Sequence, residues 1–171
     1  MTEVFDAIIV GGGHAGVEAS LALARLGFNT CLLTSDPARI AEMSCNPAIG
    51  GLAKGHLVKE IDALGGEMAV AADATAIQFR RLNTRRGPAV RASRVQSDMD
   101  KYRDRMAALV CKCPNMTVVA GMAEEILFEN GRVAGVGVEG GQSVRGSNVI
   151  LTTGTFLRGL LFTGQIGRAH V

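Results

Sequence analysis

The stretch Gly11-Gly12-Gly13-His14-Ala15-Gly16 has the G-x-G-x-x-G spacing. In that spacing one glycine permits a tight turn, one lets backbone approach a pyrophosphate, and one lets a helix pack on a strand. The motif alone is a weak signal, and its setting makes it specific. It follows Ala7-Ile8-Ile9-Val10, an apolar run that reads as a strand buried on both faces of a parallel sheet. It precedes His14–Leu26, rich in Ala and Leu, with Gly27 as the helix stop. Asn29 to Leu33 then reads as a second strand. Phe5 to Leu33 is therefore expected to be a dinucleotide-binding strand–turn–helix–strand unit, with the helix N-terminus offering amides and a positive dipole to phosphate. The acidic residue that usually ends the second strand and binds a ribose hydroxyl is missing, because Thr34 and Ser35 hold that place. Asp36 precedes Pro37, where it fits the start of the next helix. With no basic residue at 34 or 35, the site argues against a 2′-phosphate and so against NADP.

Cys45 lies in the irregular stretch Ser44-Cys45-Asn46-Pro47-Ala48-Ile49-Gly50-Gly51. A thiol in such a loop can be exposed, and helix amides or Lys54 could favour its thiolate, the nucleophilic form. Most free cysteines are instead small buried hydrophobes. The residues alone weigh the two readings evenly. Cys31, inside the second strand, reads as core. Cys111-Lys112-Cys113 is a single C-x-C with no second pair and no nearby His, short of the four ligands zinc normally takes, so it reads as structural and no metal site is expected. His56, after Lys54-Gly55 near a helix start, reads as solvated or capping, or as a phosphate contact.

Arg80, Arg81, Arg85, Arg86, Arg91 and Arg94 fall between Ala74 and Ser97, a segment without Asp or Glu. Against a net charge of +2 this leaves −4 for the rest of the chain. A solvated face or ion pairs to acids elsewhere is the general explanation. The planar guanidinium fork suits phosphates, however, and placement in a loop around Gly87-Pro88 suits binding more than packing.

Further elements must position these groups. Ala38 to Met43 and Gly55 to Leu64 are expected helices. Asp98 to Val110 carries apolar Met99, Tyr102, Met106, Leu109 and Val110 at amphipathic helix spacing. Met116 to Ala120 reads as a strand. Glu124 to Glu129 pairs with Val133 to Val138 across Asn130-Gly131, a hairpin signal, and Gly140-Gly141 turns the chain again. Asn148 to Thr152 is a last strand running into Gly154. The order β-α-β, helices, β-meander, β implies a mixed α/β fold. The 171 residues, 47% hydrophobic and 20% charged, suit one globular domain and exclude a disordered or collagen-like chain. The acidic N-terminus lacks a secretory signal, and no apolar run approaches the roughly 18–20 residues that span a bilayer, so a cytoplasmic protein with no membrane partner and free thiols is expected. Residues 166–171 (Ile-Gly-Arg-Ala-His-Val) equal one reading frame of a common short-read sequencing adapter and are expected to be a non-native tail.

Gly11 to Glu18, Met43 to Gly51, Lys54 to Glu60, Asp62 to Gly66 and Gly87 to Arg91 together resemble the MnmG, or GidA, family of FAD-dependent tRNA wobble-uridine 5-carboxymethylaminomethyl modification enzymes. The similarity runs from about Phe5 to Gly159. Met43–Gly51 and Gly87–Arg91 carry most of its weight, since generic flavoproteins have no reason to share them. The resemblance implies a glutathione-reductase-type FAD/NAD(P)-binding Rossmann-like domain with a β-meander, truncated and partial over residues 1–165. It implies a flavin reduced by NADH and a one-carbon unit taken from methylenetetrahydrofolate to C5 of the wobble uridine. It also implies tRNA, the GTPase MnmE and a second copy of the chain as partners. The family's inserted NAD-binding domain and C-terminal helical domain are expected outside this chain. By the same resemblance Cys45 stands beside the flavin ring as the catalytic residue. FAD contacts are implied for Gly11, Gly12, Gly13, His14, Ala15, Gly16, Thr34, Ser35, Asn46, Ala123, Thr153 and Gly154. The six arginines are implied to meet tRNA, with FAD or folate as other anions they could face. The related folate- and FAD-dependent tRNA uracil methyltransferases share the glycine motif, but they are not associated with Ser44-Cys45-Asn46-Pro47, and their second strand ends in Glu where Thr34 stands. A non-catalytic flavin-binding module is the reading from another class.

Overall fold

Along a strand, successive side chains point to opposite faces, so a run that is apolar throughout needs a covering layer on each side. Ala7–Val10 and Thr30–Thr34 are buried at every position. Ile9 and Leu32 enter one hydrophobic cluster, while Ile8, Val10, Cys31 and Leu33 enter a second.

The computed structural model describes residues 3–155 and Leu157, so the expected tail at 166–171 lies outside the described residues. The chain runs through β1 (Val4–Phe5), β2 (Ala7–Val10), α1 (His14–Arg25), β3 (Thr30–Thr34), β4 (Ala48–Gly50), α2 (Lys54–Ala63), α3 (Met68–Ala74) and β5 (Ala76–Leu82). It continues through β6 (Ala92–Ser97), α4 (Met99–Lys112), β7 (Met116–Ala120), β8 (Ala123–Glu129), β9 (Arg132–Val138), β10 (Gln142–Gly146) and β11 (Val149–Leu151). A parallel four-stranded sheet of order β11-β2-β3-β7 is the central layer. On one face α1 and α4 bury Val17, Leu21, Tyr102, Met106 and Val110. On the other lies the sheet β1-β10-β9-β8, which contributes Phe5, Val136 and Val138. Each such side chain contributes about 1.5–3 kcal/mol when fully buried. The expected Rossmann-like α/β architecture with a β-meander is the one observed. No helix of the described residues is long and apolar enough to cross a membrane.

The hairpin β8–β9 turns on Asn130 and Gly131, at φ +50° and +74°, the pair of positive angles that a two-residue type I′ turn demands. Asp98 caps α4, its carboxylate accepting from the Lys101 amide at 3.1 Å.

Several expectations need correction. In place of a helix over Ala38–Met43 there is one 3-10 turn, Pro37–Arg39, started by the Asp36 carboxylate, which accepts from the Ala38 amide. Ala41 then takes φ +55° and gives its amide to the Gly12 carbonyl, which ends any helix. The stretch after Cys45 is not wholly irregular, because Ala48–Gly50 pairs with β6. β4, β6 and β5 form a third, antiparallel sheet, so Arg80, Arg81 and Arg94 stand on strands rather than in a loop. Helix α3 was not legible either. Its first amides are held by the Glu18 carboxylate on α1, which accepts from Glu67 at 3.0 Å and Met68 at 2.6 Å.

Candidate functional site

Because the four central strands are parallel, their carboxyl ends fall on one edge. That edge collects Gly11–Gly16 after β2, Thr34 and Ser35 at the end of β3, Gly121 to Ala123 after β7, and Thr152 to Gly154 after β11. Chain order reverses at β2, which has β3 on one side and β11 on the other. Open α/β sheets bind ligands in the crevice at such a switch point. All the expected cofactor residues except Asn46 meet here.

The glycines are sterically distinct. Gly11 has φ +115°, and a Cβ there would lie 2.6 Å from the Thr152 carbonyl oxygen. A Cβ at Gly16 would lie 1.8 Å from the Gly11 carbonyl oxygen, so only hydrogen fits between helix and turn. At Gly12 the obstacle is Thr34 Oγ1, at 2.7 Å, which places Thr34 in packing against the turn, while Ser35 is exposed. Gly13 has nothing within 4 Å of a Cβ position, and as the N-cap of α1 it provides no side chain to its first amides. Free donors facing open space are what a pyrophosphate requires. The site therefore fits a dinucleotide. Thr152 closes it: its hydroxyl is within donating distance of the carbonyls of Val10 (2.9 Å) and Gly11 (3.1 Å). The family resemblance implies the neighbouring Thr153 and Gly154 and passes over Thr152, whose partners are 142 and 141 residues away with no local signal.

His14 turns inward, its ring 5.6 Å from that of Tyr102 on α4. Its Nε2 and the Tyr102 hydroxyl are buried without a hydrogen-bond partner among the described residues. Burial lowers the His14 pKa below 6.5, and burial together with the Glu18 charge raises that of Tyr102 above the phenol range. The unfolded chain therefore takes up the His14 proton near pH 6.5 while the folded chain resists it until lower pH. The folded state gains its full advantage above that value and loses it as pH falls, at a slope of at most about 1.4 kcal/mol per pH unit. His14→Phe, which keeps a ring against Tyr102, should flatten the decline. Urea midpoints of both proteins at pH 7 and pH 5 check this, and parallel declines would contradict it.

Cys45, Asn46 and the arginines gather on the third sheet. Asn46 Oδ1 accepts from Arg94 Nη2 at 3.2 Å, and the Gly51 amide donates to the Ser93 carbonyl at 2.8 Å, so the loop bearing Cys45 is fastened to β6. Cys45 itself is exposed. The Ala41 amide donates to the Gly12 carbonyl at 2.8 Å, and Cys45 follows four residues later, at most about 14 Å of extended chain. Four residues of chain thus join Cys45 to a residue bonded to the glycine turn. Arg80 stands directly opposite Arg94 across β5 and β6. Like charges so placed repel and invite an anion. Arg85 and Arg86 are exposed in the loop between these strands, and Arg91 Nε donates to the Arg86 carbonyl at 3.0 Å. Among the described residues none of the six arginines has an acidic partner within ion-pair distance.

The other cysteines lie away from this site. Cys31 is fully buried in β3, where burial pushes its thiol up to about 12. Cys111 and Cys113 lie at the end of α4.

Residues 6–170 match the model of the family described as glucose inhibited division protein A. The chain belongs to this family. It is 56% identical over 161 residues to the tRNA uridine 5-carboxymethylaminomethyl modification enzyme MnmG of Wolinella succinogenes, covering 94% of this chain and 26% of that protein. The crystal structure of Aquifex aeolicus GidA superposes with a TM-score of 0.86 at 46% identity, over 91% of this chain and 26% of that one. The GidA-related protein of Thermus thermophilus matches at 21% identity and a TM-score of 0.60, over 91% of this chain and 55% of that one, which shows a shared fold alone. The chain spans about a quarter of the length of the curated relatives it matches.

Proposed function

We propose that this chain is the front part of a cytoplasmic, FAD-dependent enzyme that adds the carboxymethylaminomethyl group at C5 of the wobble uridine of tRNA. We further propose that it works as a homodimer with the GTPase MnmE. The observation that carries the reading is the exposed Cys45, joined through its chain to a dinucleotide cradle on one side and on the other to a sheet and loop whose arginines have no acidic partner among the described residues. The name of the relative that is 56% identical supports this choice of reaction. The α1 amides and the open space at Gly13 would hold the FAD pyrophosphate, with Thr34 packed against the turn at Gly12. Bound there, FAD supplies the redox chemistry for transfer of a one-carbon unit from methylenetetrahydrofolate, with NADH as reductant. Cys45 offers a thiol to the substrate side, and the arginines hold the tRNA backbone.

Nucleoside analysis of tRNA incubated with the full-length protein and its GTPase partner tests this. A modified base at the wobble position supports the reading, methylated uridine elsewhere would point to the uracil methyltransferases, and no product would point to a binding module. In the same protein, Arg85→Ala with Arg86→Ala should weaken tRNA binding and make log K less steep against log salt, by roughly 0.7–0.9 for each phosphate no longer neutralised. An unchanged slope would assign the pair to folding or cofactor.

A further inference from the structure

The loop from 83 to 91 that carries Arg85, Arg86 and Arg91 is closed by bonds within itself. Asn83 Nδ2 donates to the Val90 carbonyl at 3.2 Å, the Arg86 amide to Asn83 at 2.9 Å, and the Val90 amide to Gly87 at 3.2 Å. Such bonds shape the loop without fixing where it stands. Among the described hydrogen bonds, one side chain from outside reaches it: His56 Nε2 donates to the Ala89 carbonyl at 2.9 Å, across 33 residues of sequence. A carbonyl only accepts, so the His56 hydrogen sits on Nε2.

His56 is well placed to anchor something. It lies in the first turn of α2, which follows β4 and the short connection 51–53 after the Cys45 loop. That turn is seated on β6: Gly55 is buried, a Cβ there would lie 3.0 Å from the Ser93 carbonyl oxygen, and the Gly55 amide donates to Gly51 at 2.8 Å. Ala53, the N-cap, takes φ +60°, a strained angle for alanine, to turn the chain into this helix. Between helix and loop lies a cavity of about 430 Å³ lined by Leu52, Ala53, His56, Asn83, Ala89 and Val90. Among the described hydrogen bonds, the one from His56 to Ala89 is the bond that links this helix to the loop across that space.

We propose that His56 is a positioning residue: its bond to Ala89 holds the arginine loop against α2 and so fixes where Arg85 and Arg86 stand relative to the Cys45 loop. The anion they would meet, the tRNA backbone, rests on the function proposed above; the seating of the loop does not. A neutral hydrogen bond of this kind is worth roughly two- to tenfold in a local opening equilibrium.

The test uses the full-length protein and two substitutions at this half-buried position. His56→Phe keeps a ring beside Leu52 and Val90 but cannot donate; His56→Gln restores an N–H donor. Brief trypsin digestion without tRNA reads opening as cleavage after Arg85 and Arg86, which follows the open population when closing is fast. Cleavage should rise roughly two- to tenfold in His56→Phe and return to near the unmodified rate in His56→Gln, with FAD content unchanged in both. The dissociation constant for tRNA should rise in His56→Phe alone, and by less than cleavage does, because it follows the loss of the closed population and not the gain of the open one. Unchanged cleavage in His56→Phe, or cleavage in His56→Gln as fast as in His56→Phe, would overturn the proposal. If cleavage follows the expected pattern while tRNA binding ignores both His56 and the Arg85/Arg86 substitutions, the seating stands and the RNA reading fails.

Discussion

Gly13→Val is expected to give a folded but colourless protein. The backbone at Gly13, φ −74° and ψ −178°, is extended and open to valine, and no described atom beyond its chain neighbours lies within 4 Å of the position its Cβ would take. The fold should not register the change. The added branched side chain enters the space in which a pyrophosphate must meet the α1 amides, so cofactor binding should be lost. Gly16→Ala makes the opposite case. Its single methyl would lie 1.8 Å from the Gly11 carbonyl, a backbone atom that cannot swing aside, so strand and helix must part at a cost of about 3 kcal/mol or more. Flavin absorbance per mole of protein, read beside the melting temperature, separates the two. Yellow Gly13→Val with normal FAD content would refute the site, and a Gly16→Ala protein of unchanged stability would refute the packing.

Cys45→Ser should keep FAD and stability and lose tRNA modification. Cys45 is exposed, so replacing sulfur by oxygen removes no core contact. Its loop is bound to β6 through Asn46 and Gly51 and contributes no atom to the glycine turn, so cofactor affinity should hold. Chemistry alone should suffer. Near pH 7 a free thiol is already a few per cent thiolate, whereas a serine hydroxyl needs a base to become a comparable nucleophile. The measurement is modified nucleoside formed per flavin-loaded enzyme. Normal turnover in Cys45→Ser would remove the thiol from the reaction.

What could be read in advance was local. Gly11–Gly16 sits between its strand and its helix within a few residues, and Asn130-Gly131 carries its own turn chemistry, so both were legible. The third sheet was not. β5 is exposed along almost its whole length, so no alternation of apolar and polar residues marks it, and Arg80 and Arg81 read as loop charges. Helix α3 has only seven residues, and its first turn is satisfied by Glu18, some fifty positions earlier. Over Ala38–Met43 the cap signal of Asp36-Pro37 was genuine, but the bond from Ala41 to Gly12 outweighed helix propensity. Distance in sequence hid the last two of these contacts.

The same distance sets a schedule. Gly11 and Thr152 close the cradle together although 141 residues separate them. A ribosome adding roughly 5–20 residues per second needs roughly 7–28 s to travel from one to the other, the span between them being 141 residues. Through that interval the nascent glycine turn has no lid, and the strand that will flank it does not yet exist. The nucleotide pocket is thus a late product of synthesis, and a flavin present from the first moment would still have to wait for the far end of this segment to emerge before it could be held.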